Sequence, residues 1–204
     1  MNHLAHLFLA RQTPQSLAGN LSGDFVKGPL GARFPPAVRA GIEQHRAVDA
    51  FTDSHPAVAA FRRVLTPEHG HYARVITDMF LDHFLACSFD RYAGEPLETF
   101  LARAFGAIDP HAQSLPGMLR VLYPRIRDDR WLQSYRDVAA MHDALRNISF
   151  RFSRKPRPRL ESATRHLVDS RDELEAHFAA FFPEIMAMCG VPSHPRDIEY
   201  DAPA

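Results

Sequence analysis

Thr77-Asp78-Met79-Phe80-Leu81-Asp82-His83-Phe84-Leu85 carries five large apolar side chains in nine positions and no period-two alternation, so the segment is expected to be helical and mostly buried. Asp78 and Asp82 are four residues apart and share one face, with His83 on its edge. A buried carboxylate without a partner costs several kcal/mol. Something positive should therefore sit against the pair, either a divalent cation or an arginine.

Working outward, the same pattern recurs twice. In Gly41-Ile42-Glu43-Gln44-His45-Arg46-Ala47-Val48-Asp49-Ala50-Phe51-Thr52-Asp53, the residues His45, Asp49 and Asp53 fall at successive i,i+4 positions beside Ile42, Val48 and Phe51. In Gly19-Asn20-Leu21-Ser22-Gly23-Asp24-Phe25, Asn20 and Asp24 share a face. The glycines at 19 and 23 each cost a helix roughly 1 kcal/mol relative to alanine, which implies that another backbone or a ligand comes close. Three carboxylate-bearing stripes in apolar settings suit Mn²⁺, Mg²⁺, Fe or Zn²⁺. An ion so held can polarise a phosphoryl oxygen and acidify a coordinated water, and Lys27 and Arg46 stand near enough in sequence to hold phosphate oxygens. The competing reading of each stripe is a solvated face or an arginine-paired structural network. His6 is expected either as a ligand or as a core or capping histidine, and His3 as core or cap; His55, before Pro56, reads as a capping or turn residue, and His69 and His71 read as surface. Phe150, Phe152, Phe178, Phe181 and Phe182 read as core or partner-facing residues.

Helical spacing runs through almost the whole chain, predicting helices over about 2–12, 16–27, 36–53, 56–65, 68–92, 96–106, 112–122, 129–152 and 160–189. Pro35-Pro36, His55-Pro56 and Thr66-Pro67 are expected to open helices, and Lys155-Pro156-Arg157-Pro158 to connect the last one. The 204 residues are enough for one hydrophobic core, so the expected fold is all-α: a compact single-domain helical array over 1–190 with an irregular tail over 191–204. The 24 basic and 24 acidic side chains balance, which gives no global field for nucleic acid. Two cysteines, Cys87 and Cys189, form no disulfide framework, and no basic leader or window of about 18 apolar residues is present; a cytoplasmic protein without membrane attachment is expected. The charge asymmetry is local. Arg151, Arg154, Lys155, Arg157 and Arg159 place five cations within 151–159 with no acid among them, and such a patch steers an acidic partner.

The opening Met1-Asn2-His3-Leu4-Ala5-His6-Leu7 resembles that of the bacterial acyl carrier protein phosphodiesterases. So do Gly19-Asn20-Leu21 with Asp24-Phe25-Val26-Lys27-Gly28, Phe34-Pro35-Pro36, Gly41-Ile42, His45-Arg46, Asp49, Thr52-Asp53, and Asp78 with Asp82-His83-Phe84-Leu85. Trp131-Leu132, Tyr135-Arg136-Asp137 and Arg157-Pro158-Arg159-Leu160 are similar to its later segments, and the likeness spans about residues 1–185. The resemblance implies an all-α fold related to the HD-type metal-dependent phosphohydrolases, although the usual adjacent His-Asp is here Asp82-His83. It implies hydrolysis of the diester joining 4′-phosphopantetheine to a serine of holo-acyl carrier protein, with Mn²⁺, or Mg²⁺, as cofactor. The expected ligands are His6, Asp24, His45, Asp78, Asp82 and His83, with Asp24, His45, Asp82 and His83 also catalytic. Asn20, Arg46, Asp49 and Asp53 are expected to support them from behind. The rival classes are an HD-like phosphohydrolase of nucleotides or other small phosphoesters and a non-enzymatic helical binding module. The oligomeric state stays open.

Overall fold

Prolines and polar caps set where the helices begin. Thr13 accepts the Ser16 N–H ahead of α2 (Pro14–Ser22), and Pro36 opens α3 (Pro36–Ser54). His55 Nδ1 accepts the Ala57 N–H at the start of α4 (Pro56–His69), which is the capping role expected of it. α1 (His3–Leu9) precedes these; α5 (Ala73–Cys87), α6 (Phe89–Ala93), α7 (Leu97–Ile108), α8 (Gly117–Asp128), α9 (Trp131–Ser134), α10 (Val138–Ser149), α11 (His166–Asp169) and α12 (Arg171–Met188) follow. The computed structural model describes residues 1–153 and 156–192, and no strand occurs among them; Arg154, Lys155 and residues 193–204 of the expected tail lie outside the described residues.

Several long periodic stretches are divided. The expected helix over 68–92 is interrupted at Gly70, whose φ of +52° suits only glycine, and again at Ser88. Pro67 does not open a helix but sits in the last turn of α4, where its missing N–H leaves the Arg63 carbonyl without its helical donor just before the helix ends. The stretch 129–152 splits at Asp137, which is extended and accepts the Ala139 N–H to start α10 afresh. The stretch 160–189 begins as a 3-10 turn, Leu160–Arg165, before α11 and α12.

One core joins these pieces. Phe8 of α1 meets Phe89, Phe100 and Phe182, with ring centroids 5.5, 6.2 and 5.7 Å away. Phe178, Phe181 and Phe182 are buried, Phe152 is half-buried, and Phe150 is exposed. α2 packs closely on α3. Gly19 and Gly41 make this possible: a Cβ on Gly19 would stand 2.9 Å from the Gly41 Cα, and one on Gly41 would stand 2.7 Å from the Ser16 carbonyl. A Cβ on Gly23 would fall inside the His45 ring, 2.1 Å from Cγ. The close approach expected from the glycines is therefore backbone against backbone at 19 and backbone against imidazole at 23.

Gly41→Ala should cost about 1–3 kcal/mol by overpacking, at about 2–4 °C of melting temperature per kcal/mol for a chain this size. Gly106→Ala, at an exposed α7 position with nothing within 4 Å of the new Cβ, should instead raise stability by up to about 1 kcal/mol. Thermal unfolding of the two variants should move in opposite directions.

Candidate functional site

α1 is held at its amino end by a side chain from α5. Asp82, fully buried, accepts the N–H groups of Asn2, Leu4 and Ala5 at 3.2, 2.8 and 3.3 Å. These include donors that a helix start leaves unpaired, and the carboxylate also lies at the favourable pole of the helix dipole. Burial pushes the Asp82 carboxyl up to about 7 against the pull of the three N–H groups. The cap turns α1 so that His6 faces α3.

There the polar stripes meet. The His6 and His45 rings stack with centroids 3.6 Å apart. Asp49 bridges them: its Oδ1 lies 3.2 Å from His6 Nε2 and its Oδ2 lies 3.2 Å from His45 Nε2. Asp24, on the 3-10 turn Gly23–Phe25 after α2, brings Oδ1 to 3.6 Å from the same His45 nitrogen. The Met1 ammonium stands between two carboxylates, 3.3 Å from Asp49 Oδ1 and 3.1 Å from Asp78 Oδ1. The other His45 nitrogen, Nδ1, lies 2.8 Å from the Asn20 carbonyl, which fixes the ring so that Nε2 faces the carboxylates.

The electrostatics follow from burial and these contacts. Burial lowers His6 to about 3, so its ring is neutral. Burial works to lower His45 as well, but its hydrogen bonds to Asp24 and Asp49 outweigh that and hold it at about 9. Burial would raise Asp24, yet His45 holds it at about 2; Asp49 is likewise kept well below the usual carboxylate range by His45 and His6. Asp78 moves the other way, pushed up by burial. The Met1 ammonium is held above its ordinary value by Asp78 and Asp49, although burial opposes this.

A ligand atom from each of His6, His45 and Asp49 lies within 4.8 Å of the other two, a spacing that fits one ion. His6 adds a sign of the same kind: both ring nitrogens are buried with no aligned hydrogen-bond partner. Two imidazoles with carboxylates suit Mn²⁺, Fe or Zn²⁺ better than Mg²⁺, which prefers oxygen. The site opens on a cleft of about 360 Å³ that His3, Asp24 and Asp78 help to line.

Not every expected residue comes here. Asp82 is turned to the α1 backbone, where its oxygens are used in capping. His83 is buried elsewhere, with Nδ1 2.7 Å from the Tyr135 carbonyl and Nε2 3.7 Å from Cys87 Sγ, because the residue next to Asp82 on a helix points about 100° away. Asp53 pairs with Arg62 at 3.2 Å and with Arg74, not with His45 or Arg46. Arg46 holds the Val26 and Gly28 carbonyls at 3.0 and 2.9 Å, so it braces a loop, and Lys27 is exposed and not among the cleft-lining residues. The Asn20 side chain, expected to support the ligands, donates instead to the Ser16 carbonyl and Gln44 Oε1, both at 3.1 Å; only its backbone carbonyl meets His45. Asp49 belongs at the centre of the cluster and not behind it. The Met1 ammonium was not anticipated, since periodicity does not mark a chain terminus as a cation. Glu68, His69 and His166 also bring donor atoms within 4.8 Å of one another, but Glu68 is already paired with Arg165.

The family model described as acyl carrier protein phosphodiesterase matches residues 1–185. A Serratia proteamaculans protein named acyl carrier protein phosphodiesterase is 36% identical over 192 residues, covering 91% of this chain and 96% of that protein. Proteins of the same name from Escherichia coli O157:H7 and Yersinia pestis are 35% and 32% identical over 195 and 188 residues, covering 92% and 91% of this chain and 96% of each relative. No solved structure matches.

The geometry separates capping from chemistry. Asp82→Ala leaves three backbone donors without their acceptor, at roughly 1–3 kcal/mol for each buried donor left unpaired, and thermal unfolding should show a drop of about 5 °C or more. Asp24→Ala removes a half-exposed side chain and should leave the melting temperature within about 2 °C.

Proposed function

The chain belongs to the acyl carrier protein phosphodiesterase family, and from that premise we propose that it hydrolyses the phosphodiester joining 4′-phosphopantetheine to a serine of holo-acyl carrier protein, releasing apo-acyl carrier protein and 4′-phosphopantetheine. The observation that carries the reading is the meeting of His6, Asp24, His45 and Asp49, from three separate segments, with Asp24 also lining a cleft. In this reading the enzyme is metal-dependent, with Mn²⁺ the fitting ion, and acts in the cytoplasm. No helix among the described residues is long and apolar enough to cross a membrane.

His6 Nε2, His45 Nε2 and Asp49 would hold the cation, with Asp24 at its exposed side; His45, protonated between Asp24 and Asp49 when no cation is bound, would give up its Nε2 proton to serve as a ligand. When bound, the cation supplies electrostatic stabilisation to the phosphoryl oxygens. The residues divide the remaining work by their proton affinities. Asp24, ionised and facing the cleft, orients water or cation; a carboxylate with so little affinity for protons is a poor base. Asp78, raised by burial and lining the same cleft, is the carboxyl suited to take the proton from the attacking water. The Asn20 carbonyl keeps the His45 ring from rotating away. Asp82 acts at a distance by seating the helix that carries His6.

An acidic carrier protein needs a basic surface. Arg157 and Arg159 are exposed and line a cavity of about 600 Å³, with the Arg157 guanidinium over the Phe150 ring at 5.0 Å. Of the remaining expected cations in this stretch, Arg151 lines the cleft instead.

Incubation with holo-acyl carrier protein and Mn²⁺ should remove the phosphopantetheine mass from the carrier protein, as read by mass spectrometry. A chelator should stop the reaction and added Mn²⁺ restore it; unchanged turnover in excess chelator would end the metal assignment. Asp24→Ala should lower turnover at least about a hundredfold, an effect worth about 2.7 kcal/mol, with helix content unchanged. Reversing charge at Arg157 and Arg159 together should raise KM for holo-acyl carrier protein about tenfold, steeply at low salt, while hydrolysis of a small phosphodiester stays the same.

A further inference from the structure

Of the four cluster residues, Asp24 is the one that lines the cleft. Beyond Asp24, Asp78 and His3 its walls turn apolar, formed by Leu122 and Ile126 of α8, Trp131 of α9 and Ile148 of α10. A smaller lobe of about 70 Å³ continues the same space, sharing Met79, Trp131 and Ile148 and ending at Tyr135, Ala144 and Asn147. The volume of about 360 Å³ in the main lobe falls within the roughly 300–1,000 Å³ of small-molecule sites, which are mostly apolar with a few placed polar groups.

Arg151 lines both lobes and is the one arginine or lysine among the residues that do. It is exposed and makes no ion pair with any described residue. The His3 ring beside it is kept neutral first by burial and then by the charges of His45 and Arg151, against the pull of Asp24. A free guanidinium at the edge of an apolar slot, next to a phosphodiester-cleaving cluster, is placed for an anionic group on a long neutral chain.

We propose that this cleft is the binding site for the 4′-phosphopantetheine arm, with Arg151 on the phosphate and the arm laid along Trp131, Leu122 and Ile148. The inference rests on the hydrolase reading above and assigns the part of the substrate that the cluster itself does not touch. The phosphate lies between Arg151 and the Asp24 end. The branched hydrocarbon next to it packs on Trp131 and Ile148. The two amides follow, within reach of the exposed Asn147 carboxamide, and the thiol end enters the smaller lobe towards Tyr135. This gives Trp131, Leu122 and Ile148 a role that neither the cluster nor the basic surface explains.

Trp131 is the only tryptophan in the chain, so its emission reports directly on the cleft. Free 4′-phosphopantetheine should change that emission saturably. Pantetheine, which lacks the phosphate, should do so with lower affinity. Arg151→Ala should weaken 4′-phosphopantetheine about tenfold and leave pantetheine within about twofold. Ile148→Phe, which narrows the slot, should weaken both and raise KM for holo-acyl carrier protein about fivefold or more, without changing turnover of a small phosphodiester that has no arm. Circular dichroism of both variants should match the parent chain, with melting unchanged for Arg151→Ala and lowered by several degrees, the fold retained, for Ile148→Phe. If the chain cleaves holo-acyl carrier protein but free 4′-phosphopantetheine leaves Trp131 unchanged and Ile148→Phe leaves KM unchanged, the arm lies elsewhere and the proposal falls while the hydrolase reading stands. Saturable, Arg151-dependent binding by a chain that cleaves nothing would support the site and remove the reaction. Neither binding nor cleavage would remove both.

Discussion

A single buried carboxylate sets the rest of the molecule in place. Asp82 carries its oxygens into the start of α1 and takes three N–H groups that would otherwise be buried without acceptors. A short helix of seven residues has little stability of its own, since nucleation is costly and few internal bonds repay it. Its position is therefore a tertiary property, set by this cap at one end and by Phe8 among the core aromatics at the other. With α1 fixed, His3 and His6 have fixed positions as well.

The second constraint is the absence of side chains at three glycines. Gly19 and Gly41 bring α2 and α3 into backbone contact, and Gly23 leaves the volume that the His45 ring fills. The Asn20 carbonyl, one turn before Asp24, then receives His45 Nδ1–H. A neutral His6, a charged His45 and the two depressed carboxylates between and beside them are the electrical result of that packing. Packing and charge are not separate designs here. The glycines that close the α2–α3 contact are the reason the imidazole and carboxylates come within ligand distance.

Much of this was legible in the sequence. The helical class, the polar stripe of His45 with Asp49, and the unusual glycines all follow from spacing and propensity, which are local properties. The direction of a side chain in three dimensions is not local. Asp82 and His83 are adjacent in sequence and both buried, yet one caps α1 and the other serves the Tyr135 carbonyl. Asp53 continues the stripe of His45 and Asp49 by spacing, but Arg62 and Arg74 reach it from α4 and α5. The long periodic stretches over 68–92 and 129–152 were divided by Gly70, Ser88 and Asp137, whose backbone conformations an apolar count does not register. Charge along the chain was also a partial guide: Arg151 lines the cleft, whereas Arg157 and Arg159, from the same basic stretch, line a different cavity.

Because His6 rides on α1 while Asp49 sits on α3, the seating of the amino-terminal segment and the occupancy of the cluster are two sides of one equilibrium. Whatever occupies the cluster adds its free energy to the hold on that segment, and whatever loosens the segment weakens occupancy by the same factor. The segment is thus a tethered donor whose local concentration at the site is set by a bond network on α5. A distant substitution in that network changes affinity without touching a ligand.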